Sequence, residues 1–281
     1  PSLGDIPPKQ LSTRDIQQLY TNLLKERELS PKTVRNIHGV LHRTLEQAMQ
    51  LGYIRVNPAD AAVTPRVEKK QVETLDAEDI GKFLAAIRGT KYEYPLFVAV
   101  FTGLRQGELL GLTWDCVDFE HGMLLINKQH NRVKGDTEFR FASLKNDKAR
   151  VLTVADEVID VLKLQKQRQK SWAAALGNGW ENPDNLVFTT EFGRYINNKI
   201  LYQNFKRIAK KLGKPDLRFH DLRHTYAVNS LRAGDDIKTL QENLGHATAS
   251  FTLSTYAHAT PGMKRESAKR MTDFIRTVQG A

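Results

Sequence analysis

The chain has 281 residues, 40% of them hydrophobic, enough to bury the core of one large domain or two ordinary ones. Lys and Arg outnumber Asp and Glu by 42 to 32, and the formal charge of +10 suits a polyanionic partner, either nucleic acid or an anionic surface. Cys116 is the single cysteine, which excludes an intrachain disulfide and a Cys-based zinc site and fits a reducing compartment such as the cytoplasm. No apolar run approaches the ~20 residues of a membrane span, so no membrane partner is expected, and no signal-peptide pattern is legible.

The first elements read as a small helical module. Ser12 and Thr13 offer N-caps, and Ile16, Leu19, Tyr20 and Leu23 fall on one helical face. Ser30-Pro31 is a second start signal, with proline at the first helical position. Val34, Ile37, Leu41, Leu45 and Ala48 form the apolar stripe of that helix, and Gly52 punctuates its end. Lys32, Arg35, His42 and Arg43 are its polar residues, either a solvated face or a DNA-facing surface.

Residues 64–73, TPRVEKKQVE, are dense in charge and lack an apolar period, which marks a linker between a domain at 1–63 and a larger one at 74–281. The larger domain opens with a helix carrying Ile80, Phe83, Leu84 and Ile87, and a strongly apolar one begins at Pro95. Residues 123–127, 139–145 and 151–154 read as short strands of a small antiparallel sheet. From Asp156 onward the pattern is mostly helical, interrupted by a surface loop expected over 172–185. The fold class is therefore mainly α with a small antiparallel β-sheet.

Four segments stand out: TGLRQGELLGL (102–112), SLKNDKAR (143–150), HDLRHTYAV (220–228) and LGHATASFTLSTYAH (244–258). They supply Arg105, Lys145, His220, Arg223, His246 and Tyr256, a set matched to the demands of phosphodiester transfer. Guanidiniums are planar forks of donors suited to the charge that gathers on the non-bridging oxygens of a phosphorane-like transition state. A phenol can form a covalent phosphoester, while His and Lys can move the protons of attack and departure. With arginines neutralising the phosphate, the chemistry requires no metal or other cofactor. His220 and Arg223 are three positions apart, which puts them on one helical face. Gly103 and Gly107 flank Arg105, Gly245 can end a helix just before His246, and Glu108 is placed to buttress Arg105 or cap a helix.

In this order and combination, the four segments resemble the conserved boxes of the tyrosine recombinase, or phage integrase, family, across residues 75–275. The Ser30-Pro31-Lys32-Thr33-Val34 stretch and the NPAD of 57–60 are similar to that family's core-DNA-binding domain. The flavour is that of integrases of conjugative transposons and temperate phages. The resemblance implies a helical core-DNA-binding domain followed by an α+β catalytic domain, closing as a clamp on duplex DNA. It implies that Arg105 and Arg223 grip the scissile phosphate with His220 and His246 beside it. Tyr256 would form a 3′-phosphotyrosine, and Lys145 would be the general acid, with Lys148 a nearby competitor. Partners implied are double-stranded DNA at element ends and target, a homo-tetramer exchanging strands through a Holliday junction, and an accessory directionality protein. Members of this kind often carry a further N-terminal domain for accessory sites, so a chain starting at Pro1 is expected to be a fragment or processed form.

Other readings account for fewer of these residues. A metal-dependent phosphohydrolase could use His220, Asp221 and His224 on one helix, but leaves the Arg and Tyr boxes unexplained. A non-catalytic DNA-binding relative would lack the six residues, and a type IB topoisomerase would share the chemistry without pairing two sites. His224, His258, Trp114, the leucines at 109, 110 and 112, and Cys116 read as structural.

Overall fold

Ser12 and Ser30 begin the first two helices for a local reason, since each side chain accepts a bond from an otherwise orphaned N–H of the first turn. The computed structural model describes residues 3–68, 73–132, 139–142, 149–245, 269, 271–272 and 275–278. The chain divides into two units, Pro1–Gln71 and Val72–Ala281.

In the smaller unit, α1 (Thr13–Lys25) opens with a reciprocal box in which Asp15 returns the bond to the Ser12 backbone. α2 (Pro31–Gln50) starts on the proline, whose missing N–H costs nothing there. Ile16, Tyr20, Val34, Leu45, Ile54 and Ala59 form the core, with Leu19, Leu23, Leu41 and Ala48 packed around it. The NPAD stretch is stapled to these helices. The buried Asn57 donates through Nδ2 to the His42 carbonyl (3.2 Å) and Glu46 Oε2 (3.3 Å), and its Oδ1 accepts from the Ala59 N–H (3.0 Å). Thr13 Oγ1 donates to the Pro58 carbonyl at 2.8 Å.

The larger unit is built around α4 (Glu93–Thr102), where Pro95, Leu96, Val98, Ala99, Val100 and Thr102 are all buried. A helix apolar on every side belongs in the middle of a core, and α4 packs against α3 (Ala77–Ile87), α5 (Gln106–Leu110), α6 (Asp156–Leu176) and α8 (Phe219–Ala233). α7 (Asn198–Lys211) adds Leu201, Phe205, Ile208 and Ala209 to the same core. α9 (Ile237–Leu244) packs on α8 through Leu240 and Leu244, against Ala227, Val228 and Leu231.

The strands make two small antiparallel sheets. β1 (Val117–Asp118), β2 (Met123–Ile126) and β5 (Arg150–Thr153) form one in the order β1-β2-β5; β3 (Gln129–Arg132) pairs with β4 (Phe139–Ala142) in the other. β5 lies beside β2 with Leu124 opposite Leu152, and both leucines are buried. Two differences from the sequence reading stand out. β3 occupies a polar stretch, QHNR, that carries no strand pattern, and α6 runs on through Leu176 into the expected loop. The Ala173-Ala174-Ala175-Leu176 run has high helical preference and stops only at Gly177, whose φ of 53° is left-handed. Among the described residues, no helix is long and apolar enough to cross a membrane.

Truncating Asn57 to Ala removes three hydrogen bonds at a buried position. We expect a loss of about 1–3 kcal/mol in the unfolding free energy of the smaller unit, measured by urea denaturation.

Candidate active site

α4 ends at Gly103 in the left-handed region (φ 62°), which turns the chain back so that Arg105 stands at the N-cap of α5. A Cβ on Gly103 would lie 2.6 Å from Tyr226 Cδ1, so both the backbone sign and the packing of α8 require glycine. The turn is held by Glu108. Its carboxylate accepts from the Arg105 backbone N–H (3.0 Å) and from Arg105 Nη1 (2.6 Å), so it both caps α5 and orients the arginine. The Arg105 side chain stays 27% exposed, whereas Glu108 is 1% exposed.

A second guanidinium reaches the same carboxylate. Arg150, the first residue of β5, donates through Nη1 to Oε1 (3.1 Å) and through Nη2 to Oε2 (2.7 Å). Burial alone would raise the Glu108 carboxyl; bonds and charge from Arg150, then Arg105, outweigh it and bring the pKa down to about 2. This arrangement favours the ionised form by about 3 kcal/mol, on the scale of 1.36 kcal/mol per pKa unit.

α8 contributes the other site residues. Arg223 is 1% exposed, donating through Nη1 to the Gly103 carbonyl (2.9 Å) and through Nη2 to the Leu244 carbonyl. His220, one turn earlier, is exposed at the surface but has protein packed around part of its ring. Desolvation, then the charges of Arg223 and Arg105, hold its imidazolium below the usual range, so the ring is neutral near pH 7. The bond from Arg223 to the Gly103 carbonyl brings α8, which also carries His220, up to the turn that presents Arg105. His224 packs edge-on to His220 with centroids 5.0 Å apart, and burial first, then His220, lowers its pKa to about 4.

α9 ends at Gly245, also left-handed (φ 61°), as the Leu-Gly-His pattern anticipates. Two carbonyls at this end are covered by arginine, Asn243 by Arg150 Nε (2.9 Å) and Leu244 by Arg223. Cations are favoured at a helix C-terminus, where the carbonyls carry partial negative charge.

The structure thus brings Arg105, His220 and Arg223 together. Lys145, Lys148, His246, Tyr256 and His258 lie outside the described residues. In the smaller unit, Lys32, Arg35 and Arg43 are exposed on α2, while His42 Nε2 is bonded to Asp60 Oδ1 at 2.7 Å. The residue that sequence reasoning missed is Arg150, present there only as the last residue of the SLKNDKAR segment; the signal for it was the acidic Glu108 inside an apolar segment, which needs a counter-charge when buried. Asp221, a candidate metal ligand in the phosphohydrolase reading, is bonded by Arg218 through Nη2 (2.7 Å) and its backbone N–H (2.7 Å). Among the described residues no group of three or more His, Cys, Asp or Glu is placed to hold a metal ion. Cys116 is buried, and Trp114 is partly buried against the core, its Nε1 donating to Gln169 Oε1 at 2.8 Å.

A mainly helical unit thus presents two arginines and a histidine around one turn, a cationic arrangement suited to a phosphate group. The profile of the phage integrase family matches residues 69–263. A XerC-like tyrosine recombinase of Caldanaerobacter subterraneus subsp. tengcongensis is 31% identical over 275 residues, covering 92% of this chain and 70% of that protein. The ICEBs1 integrase of Bacillus subtilis is 25% identical over 95% of this chain and 72% of its own length. Among solved structures, the Tn1549 transposon integrase in complex with transposon right end DNA superposes with a TM-score of 0.82 at 25% identity, over 97% of this chain and 89% of that one. The chain belongs to the phage integrase family and is a tyrosine recombinase.

His224 gives the larger unit an acid sensitivity with a defined sign. Its folded pKa lies below the ordinary 6.5, so unfolding takes up a proton between these values. The stabilisation is complete above about pH 6.5 and is lost as pH falls toward 4, up to about 3 kcal/mol. We expect the melting temperature to drop over that window in wild type and to drop less in His224→Gln, as read by calorimetry at a series of pH values.

Proposed function

We propose that this recombinase acts on double-stranded DNA at the ends and target sites of a mobile element, through a covalent bond to Tyr256. The Tyr256 phenolate attacks the scissile phosphorus, forming the 3′-phosphotyrosine, while the bond from phosphorus to the 5′-oxygen breaks. Lys145 supplies the proton to that departing oxygen. The 5′-hydroxyl of a second strand then attacks the phosphotyrosine and releases Tyr256. Bond energy is conserved in the tyrosyl link, so no nucleotide is consumed. Arg105 and Arg223 receive the charge on the non-bridging oxygens, with His220 and His246 beside them. A neutral His220 can accept a proton or donate a bond, as either direction of the reaction demands.

The observation that carries this reading is the convergence of Arg105, Arg223 and His220 on the turn at Gly103. The relatives named above support the choice of DNA and of a mobile element, being integrases and recombinases, one of them bound to transposon DNA. Lys32, Arg35 and Arg43, exposed on α2, would contact the DNA backbone together with His42 of the same helix, which is tied to Asp60. A domain division near residues 64–73 separates this helical DNA-binding module from the catalytic one. Four copies would pair two sites and exchange strands in two steps through a Holliday junction, with an accessory protein setting direction.

Tyr256→Phe removes only the phenol oxygen. It should bind DNA as wild type does and form no denaturation-resistant adduct with a nicked suicide substrate; an adduct in this variant would move the nucleophile elsewhere.

Lys145→Ala should slow cleavage of ordinary DNA by about 10²–10⁴-fold, the usual worth of a general acid. Replacing the bridging 5′-oxygen with sulfur gives a leaving group that needs no proton, and Lys145→Ala should recover on it. Recovery by Lys148→Ala instead would assign the proton to Lys148.

A further inference from the structure

We infer that Arg150 is a positioning residue for strand cleavage, locking the Arg105 turn to the C-terminal end of α9 through Glu108 on one side and the Asn243 carbonyl on the other. The inference rests on the reading that Arg105 meets the scissile phosphate.

All three nitrogens of the Arg150 guanidinium are engaged by the protein, Nη1 and Nη2 by the Glu108 carboxylate and Nε by Asn243. The side chain is 11% exposed. With two nitrogens on a buried carboxylate and the third on a helix-end carbonyl, this guanidinium braces the elements it joins. Three motif segments meet at it. Arg150 closes the SLKNDKAR segment that carries the candidate general acid, Glu108 belongs to the segment of Arg105, and Asn243 precedes Leu244-Gly245-His246. The plane of the guanidinium lies over Gly245, where a Cβ would stand 3.1 Å from Arg150 Cδ and Nη1 and 3.2 Å from Nε. Gly245 therefore does more than reverse the helix, since its missing side chain is the space that the brace occupies.

The effect on Arg105 runs through Glu108. Both the backbone and Nη1 of Arg105 are held by this carboxylate, so the arginine is only as well placed as Glu108. Bidentate contact from Arg150 fixes the carboxylate plane, and a lysine could not satisfy two oxygens and a carbonyl from one fork. Arg150 from β5 and Arg105 from its own turn are the charged groups facing Glu108; β3, packed on the same turn, brings His130, whose pKa burial lowers, and α8 brings Arg223 and the neutral His220. Without Arg150, burial pushes the Glu108 carboxyl upward, and protonation would release Arg105.

The test is single-turnover adduct formation on saturating suicide substrate by wild type, Arg150→Lys, Arg150→Met, Glu108→Gln and the double variant Arg150→Met/Glu108→Gln, with DNA affinity measured in parallel. Arg150→Met should cleave about 10²-fold more slowly, the scale of a small misplacement of a catalytic group, with near-normal DNA affinity. Arg150→Lys should recover part of the rate. The double variant should be no slower than the slower single, because both changes cut one connection. The ratio of the Arg150→Met rate to the wild-type rate should fall as pH is lowered, and that fall should vanish in the double variant, which has no carboxyl to protonate. A general loss of stability would produce neither the non-additivity nor its pH signature. If Arg150→Met does not fold, the comparison of the double variant with Glu108→Gln decides, equal rates supporting the brace and a much slower double variant overturning it. Wild-type cleavage by folded Arg150→Met, multiplicative losses, or an unchanged pH profile would each overturn the inference. Its failure is separable from failure of the proposed function, since Tyr256→Phe would still abolish the adduct if only the brace were wrong.

Discussion

A buried carboxylate with a cation on each side ties a turn, a strand and a helix end of the larger unit together. Taking Glu108 out of water is costly, and the cost is offset only if oppositely charged donors come in at bonding distance with the right planes. Arg105 and Arg150 do so from positions 45 residues apart in the chain, and the carboxyl is driven down to about 2 despite its burial. A neutral amide at 108 could accept a bond from one of them, but it could not balance two guanidiniums. The turn that presents Arg105 is thus tied electrostatically to β5, and through β5 to α9.

The remaining contacts follow the same logic with backbone carbonyls as the acceptors. α4 and α9 both end in left-handed glycines, Gly103 and Gly245, and arginine from another element closes on each end. Arg223 serves both, reaching Gly103 and Leu244 from the interior of α8, so carbonyl oxygens help to compensate its burial. That arrangement fixes the plane of the guanidinium before any substrate arrives. In the proposed reaction, donors fixed in this way would meet the developing charge without having to reorganise, which is where electrostatic catalysis gains most. His220, kept neutral by desolvation and by its cationic neighbours, completes a site whose charge is concentrated on the arginines.

The smaller unit solves a different problem, presenting a long basic helix on a small core. Asn57 and Thr13 tie the NPAD stretch to α1 and α2, while Asp60 engages His42. The exposed cations Lys32, Arg35 and Arg43 are then left on a helix whose other side is held by Val34 and Leu45. Phosphate contacts made by such residues orient a protein on DNA without reading its sequence.

Much of this was legible residue by residue. The starts of α1 and α2, the proline at the first position of α2, the glycine that ends α9 and the shared helix of His220 and Arg223 are all decided within one turn of chain, by caps, periodicity and φ preference. The order of the four motif segments carried the family and the kinds of side chain the chemistry uses. The pairing of β5 with β2, the strand at QHNR, the burial of Arg223 and the bond from Arg150 to Glu108 were not legible in that way. Each depends on which distant element packs alongside. A helix cap is chosen by its neighbours in sequence, whereas the counter-charge of a buried carboxylate is chosen by whatever the folded core brings next to it, here a strand whose arginine lies 42 residues further along the chain.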